Sequence, residues 1–69
     1  MKLRTKNKGT AFALKRRITS WAVTNGLDTK VCTLDAKTHT LDICSTVPYN
    51  IVERAVGHYT RSGERVQYE

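Results

Sequence analysis

A chain of 69 residues is long enough for one small domain, and such a domain buries only about 60% of the surface that its unfolded chain exposes. Its 39% apolar and 26% charged residues are typical of a globular domain and argue against a disordered segment. The formal net charge is +6, and no apolar run approaches the roughly 20 residues that cross a bilayer. The basic start is not followed by the hydrophobic segment of a signal peptide, so we expect a soluble cytoplasmic protein.

The positive charge is concentrated at one end of the sequence. Residues 1–27 hold seven Lys and Arg and no acidic residue, whereas residues 28–69 hold five basic and six acidic residues. An asymmetry of this kind predicts an anionic partner.

Residues 1–9 alternate basic and other side chains, with Lys2, Arg4, Lys6 and Lys8 at every second position. If this segment is extended, all four charges project from one side. Because like charges repel and little apolar pattern accompanies them, the segment can equally be a flexible arm. We therefore divide the chain into a basic N-terminal arm, residues 1–9, and a domain, residues 10–69.

The spacing of apolar residues from 11 to 24 predicts a first helix. Thr10 is its expected N-cap, and Asn25-Gly26 is typical of a helix end. The apolar stripe follows three- and four-residue spacing and consists of Ala11, Leu14, Ile18, Trp21 and Ala22. Phe12 and Val23 lie off this stripe, so they are either exposed or contact something outside the core.

The segment from residue 30 to residue 47 predicts a β-hairpin with a loop of residues 36–39. We expect Leu34 to lie opposite Leu41 and Cys32 opposite Ile43, which gives one apolar and one polar face. Cys32 and Cys44 then lie on opposite faces, so both are expected to be free thiols.

Asn50 and Glu53 have the spacing of a capping box, which predicts a second helix that ends near Ser62-Gly63. A short strand from residue 64 to residue 68 would follow. The alternative is a hairpin over residues 57–68 about Ser62-Gly63, favoured by Gly57, since glycine destabilises a helix by about 1 kcal/mol relative to alanine. The expected apolar face of the helix consists of Ile51, Val52, Ala55, Val56 and Tyr59.

These elements predict a small single-domain α+β fold ordered helix, strand, strand, helix, strand. Both helices should pack on one face of a short antiparallel sheet. Leu14, Ile18 and Trp21 are expected to bury against the apolar face of the hairpin.

No pattern of a catalytic or metal site emerges. The four residues with side chains that could bind zinc lack the short paired spacing of structural zinc ligands; they are Cys32, His39, Cys44 and His58. Their spacing also does not predict that a histidine lies within hydrogen-bond reach of a cysteine, as a cysteine nucleophile would need. We expect no enzymatic activity, no cofactor and no metal.

The basic segment is the remaining functional signal. Extended and helical cations can follow a phosphate backbone, which gives affinity with little sequence information. We therefore predict a small basic, nucleic-acid-binding or regulatory protein that binds DNA or RNA. The candidate contact residues are Lys2, Arg4, Lys6, Lys8, Lys15, Arg16, Arg17, Arg54 and Arg61.

The alternative is a protein-binding modulator, such as an inhibitor of a larger enzyme of the kind that phages and other mobile elements encode. Phe12 and Val23 off the core stripe and the open edges of a small sheet would suit a protein partner or a homodimer.

Overall fold

In a computed structural model that describes residues 1–69, the chain forms four strands and two helices. A short 3₁₀ turn, Thr29–Val31, precedes the second strand. The main elements in chain order are β1 (Lys2–Thr5), α1 (Lys8–Thr24), β2 (Cys32–Asp35), β3 (Thr40–Ile43), α2 (Tyr49–Thr60) and β4 (Val66–Tyr68).

The β2–β3 hairpin has the predicted register. Leu34 lies opposite Leu41, Cys32 lies opposite Ile43, and residues 36–39 form the connecting loop. Leu41 and Ile43 are buried on the helix side, while Asp42 between them is exposed. The alternation of apolar and polar residues therefore sufficed to orient this hairpin.

The N-terminal segment is not an arm beside the domain but includes an inner strand of its sheet. β1 pairs with β3 on one side and with β4 on the other, both antiparallel. Leu3 is fully buried opposite Leu41, and the Met1 carbonyl accepts a hydrogen bond from the Ile43 amide at 2.7 Å. The boundary predicted at residue 9 therefore does not separate an arm from the domain, because residues 1–9 contribute Leu3 to the core.

The first helix begins three residues earlier than predicted. Asn7 is the N-cap, and its side-chain oxygen accepts a hydrogen bond from the Thr10 amide at 2.8 Å. Thr10 is a buried residue in the first turn of the helix, so its prediction as the cap is wrong. The predicted end is confirmed, since Asn25 caps α1 and Gly26 has a φ of 76°.

The second helix forms over the predicted apolar face, which excludes the alternative hairpin over residues 57–68. Pro48 occupies the N-cap position with no side-chain hydrogen bond, so the predicted capping box at Asn50 is absent. The helix ends at Thr60, and Gly63 adopts a φ of 92° in the turn before β4.

The four strands form one antiparallel sheet in the order β2-β3-β1-β4. Each helix connects two parallel strands that are separated by a third, which is the split βαβ arrangement of ferredoxin-like folds. Both helices cover one face of the sheet, as predicted, and the other face is open. The buried cluster between them consists of Leu3, Leu14, Ile18, Ala22, Val31, Cys32, Leu41, Ile43, Val47, Val52, Ala55 and Val56.

Candidate nucleic-acid interface

The two faces of the molecule carry different charge. We define the helix layer as α1, α2 and Arg61, the C-cap of α2. It carries one acidic residue, Glu53, and six basic ones: Lys8, Lys15, Arg16, Arg17, Arg54 and Arg61. The helix layer therefore has an excess of five positive charges.

The open face of the sheet is close to neutral. Lys2 lies opposite Asp42 across β1 and β3, and the Arg4 Nε lies 3.1 Å from the Glu69 Oε1. Asp35 lies on the same face. Lys2 and Arg4 thus project away from the helices and toward carboxylates, because alternate residues of a strand point to opposite faces. The structure separates these two predicted contact residues from those on the helices.

Lys6 and Lys8 lie where β1 passes into α1. Lys6 is in the connecting turn, and it lines a shallow depression with Arg65. Lys8 is the first residue of α1, and its Nζ lies 5.8 Å from the centre of the Phe12 ring. These two cations are exposed at one end of the sheet. Arg65, which no charge cluster marks in the sequence, lies next to Lys6.

The three consecutive cations of α1 point in different directions, because successive residues of a helix are rotated by about 100°. Lys15 is half-buried, whereas Arg16 and Arg17 are exposed. Lys15 and Arg16 border a depression that also includes Phe12. Arg17 points toward α2, and its guanidinium carbon lies 5.7 Å from the centre of the Tyr59 ring.

Arg17 forms one wall of a groove between the two helices, and α2 forms the rest. The groove has a volume of about 530 Å³ and is lined by Arg17, Asn50, Glu53, Arg54, Gly57, His58 and Arg61. Tertiary packing thus brings Arg17 together with Arg54 and Arg61. Asn50 and Gly57 have no charge that would mark them in the sequence, so they were missed as site residues.

The cations of the helix layer have no carboxylate partners. The single salt bridge of the protein joins Arg4 to Glu69 on the other face, and Glu53 forms no salt bridge although it lines the groove. The unpaired arginines are therefore available to an external anion, and Arg offers a planar set of donors that matches phosphate oxygens.

No family model, curated protein or solved structure matches the chain.

The two cysteines are free, as predicted, and their thiols differ. Burial raises the pKa of the Cys32 thiol to about 11. Cys44 is exposed, and hydrogen bonding with the Thr46 side chain and backbone lowers its pKa. No group of three or more His, Cys, Asp or Glu side chains is arranged to hold a metal ion.

A partly apolar patch lies at the other end of the sheet from the β1–α1 turn. Tyr49 and Tyr68 pack with their ring centres 6.1 Å apart, and both are about half exposed. Desolvation, followed by the neighbouring Tyr49 and Glu53, raises the pKa of Tyr68. Met1 lines a shallow depression with Pro48 and Tyr49. Neither helix has the length and apolar character needed to cross a membrane.

Proposed function

We propose that this protein binds nucleic acid through the phosphate backbone and that the helix layer is the contact surface. The observation that supports this is the spatial charge asymmetry, with six cations against one carboxylate on the helices and a near-neutral sheet face. Phosphate contacts of Lys and Arg release condensed counterions, which favours binding without requiring a particular base sequence.

A duplex fits this surface better than a single strand does. Single strands are usually held by bases stacked on aromatic side chains, which proteins with a βαββαβ sheet often present on the open face. Here that face carries Lys, Arg, Thr, Asp, Gln and Glu and no aromatic residue. We therefore infer that the helices contact the phosphate backbone of a duplex and do not contact its bases.

The proposal is tested with two variants that lose the same charge from different places. The first replaces Lys15, Arg16 and Arg17 with Gln, and the second replaces Lys2, Lys30 and Lys37, which are exposed outside the helix layer. Affinity for a short duplex is measured by fluorescence anisotropy over a series of salt concentrations.

If about five phosphates are neutralised, log K should fall with log salt at a slope near −4.5 in the wild-type protein. The first variant should flatten this slope by up to about 2.7, the value for three lost phosphate contacts, and the second should change it by less than about 1. Equal loss in both variants would show that net charge alone attracts the duplex. No binding at about 50 mM salt would refute nucleic-acid binding altogether.

Protein binding is a second candidate function, and the half-exposed Tyr49–Tyr68 pair favours it because tyrosine is enriched at interface hot spots. The protein is purified from cells at low and at high salt to compare the two. A protein partner held by this patch should remain bound at high salt and be lost from a Tyr49→Ser and Tyr68→Ser variant. Co-purified nucleic acid should instead dissociate at high salt.

A further inference from the structure

The groove between α1 and α2 contains a glycine at the centre of its basic wall. Gly57 lies three residues after Arg54 and four residues before Arg61, so the three residues share one face of the helical turn that continues into the C-cap. Arg17 of α1 faces them across the groove. A ligand in the groove would therefore meet the backbone of α2 at Gly57 and guanidinium groups around it.

The fold itself does not require a glycine at this position. Gly57 does not have a positive φ, unlike Gly26 and Gly63. A Cβ atom added to it would meet no atom within 4 Å, so no neighbouring element needs the space. Glycine in a helix interior is less favourable than alanine by about 1 kcal/mol. Glycine at position 57 therefore lowers the stability of the helix, and no packing contact within the chain needs the space that it leaves.

We propose that one phosphate group of the nucleic-acid backbone lies in this groove against Gly57 and contacts Arg17, Arg54 and Arg61. This inference rests on the proposed function and names the site that carries it. The absence of a side chain lets the phosphate approach the helix closely, which is a common use of glycine next to ligands. Three arginines can supply several charge-assisted hydrogen bonds to its oxygens.

The Tyr59 ring contributes by orienting one of these arginines. The Arg17 guanidinium lies over that ring, so part of its rotational freedom is already lost before a ligand arrives. Glu53 acts in the opposite direction, because its carboxylate lines the same groove and repels a phosphate. Substitutions of groove residues can therefore either raise or lower the affinity for phosphate, and they leave the core residues unchanged.

The deciding experiment changes the shape of the groove and leaves its charge unchanged. Gly57→Ala and Gly57→Leu place side chains of increasing size at the proposed phosphate position, and Gly9→Ala is the matched control in α1. Thermal unfolding, duplex affinity and the chemical shifts of the backbone amide of residue 57 during titration with inorganic pyrophosphate are measured for each variant.

Gly57→Ala should raise the thermal midpoint and weaken both duplex binding and the pyrophosphate response, whereas Gly9→Ala, at a position that does not line the groove, should leave the pyrophosphate response unchanged. Gly57→Leu should weaken duplex binding by roughly tenfold or more, the size of one charge-assisted contact, and abolish the response to pyrophosphate. Glu53→Gln should tighten duplex binding by roughly twofold to fivefold, since it removes a like charge.

The outcomes separate this inference from the proposed function. If the wild-type protein binds duplex and Gly57→Leu binds it equally well, the groove is not the phosphate site, although nucleic-acid binding stands. If the wild type fails to bind duplex yet pyrophosphate shifts the Gly57 amide and Gly57→Leu prevents this, the phosphate site stands and nucleic-acid binding is refuted. If the wild-type protein responds to neither duplex nor pyrophosphate, the phosphate site and nucleic-acid binding are both refuted.

Discussion

The guanidinium carbon of Arg17 lies 5.7 Å from the centre of the Tyr59 ring and so connects the exposed surfaces of α1 and α2. Such contacts contribute about 0.5–1 kcal/mol at exposed sites. A double-mutant cycle with Arg17→Met and Tyr59→Leu should therefore give a coupling free energy of that size in urea unfolding. Strictly additive free energies of unfolding would mean that the two side chains do not interact in solution.

Leu3 tests whether the N-terminal segment is an inner strand. Its side chain is fully buried in β1, so Leu3→Ala should reduce the free energy of unfolding by about 2–5 kcal/mol, as Ile18→Ala should in α1. Phe12→Ala, at a site that is 44% exposed, is the control and should cost far less. A Leu3→Ala variant as stable as the wild type would show that Leu3 is not a core residue and that residues 1–9 are an arm outside the domain.

The two thiols should react at very different rates. Cys44 is exposed and its pKa is lowered, first by hydrogen bonding with the Thr46 side chain, whereas Cys32 is buried. Because the thiolate is the reactive form, iodoacetamide should label Cys44 alone in the folded protein and both cysteines in denaturant. Thr46→Val should slow the labelling of Cys44. Mass spectrometry of labelled peptides measures both effects, and equal native rates, or an intramolecular disulfide, would contradict the hairpin register.

The stability of the protein should fall in alkaline solution because of Cys32. Burial raises the pKa of its thiol from 9.0 to about 11, so the folded state holds a proton that the unfolded state has released. This stabilisation is complete below pH 9 and is lost as the pH rises toward about 11. Between about pH 8.5 and pH 10.5 the free energy of unfolding should drop by about 2 kcal/mol from this group.

Cys32→Val is the control for that pH dependence, because it keeps an apolar side chain of similar size in the core and removes the proton. The difference between wild type and variant isolates the thiol from the Lys and Tyr side chains that also titrate in this range. Parallel stability curves for the two proteins would show that the thiol does not contribute.

The sequence alone determined the elements whose signal is local. The β2–β3 register follows from alternation, since a slip by one residue would expose Leu34 and Leu41. The end of α1 follows from Asn25-Gly26, and the buried face of α2 follows from residues at helical spacing. In each case the residues that specify the structure lie within a few positions of one another.

Tertiary structure decided the role of residues 1–9 and the distribution of charge. Leu3 is the only large apolar side chain that β1 contributes to the core, and its burial depends on β3 and β4, which lie far away in the sequence. The same strand turns Lys2 and Arg4 to the face opposite the helices, while packing of α1 on α2 brings Arg17 beside Arg54 and Arg61. Composition shows how much charge the chain carries, but only the pairing of distant strands and helices decides which charges share a surface.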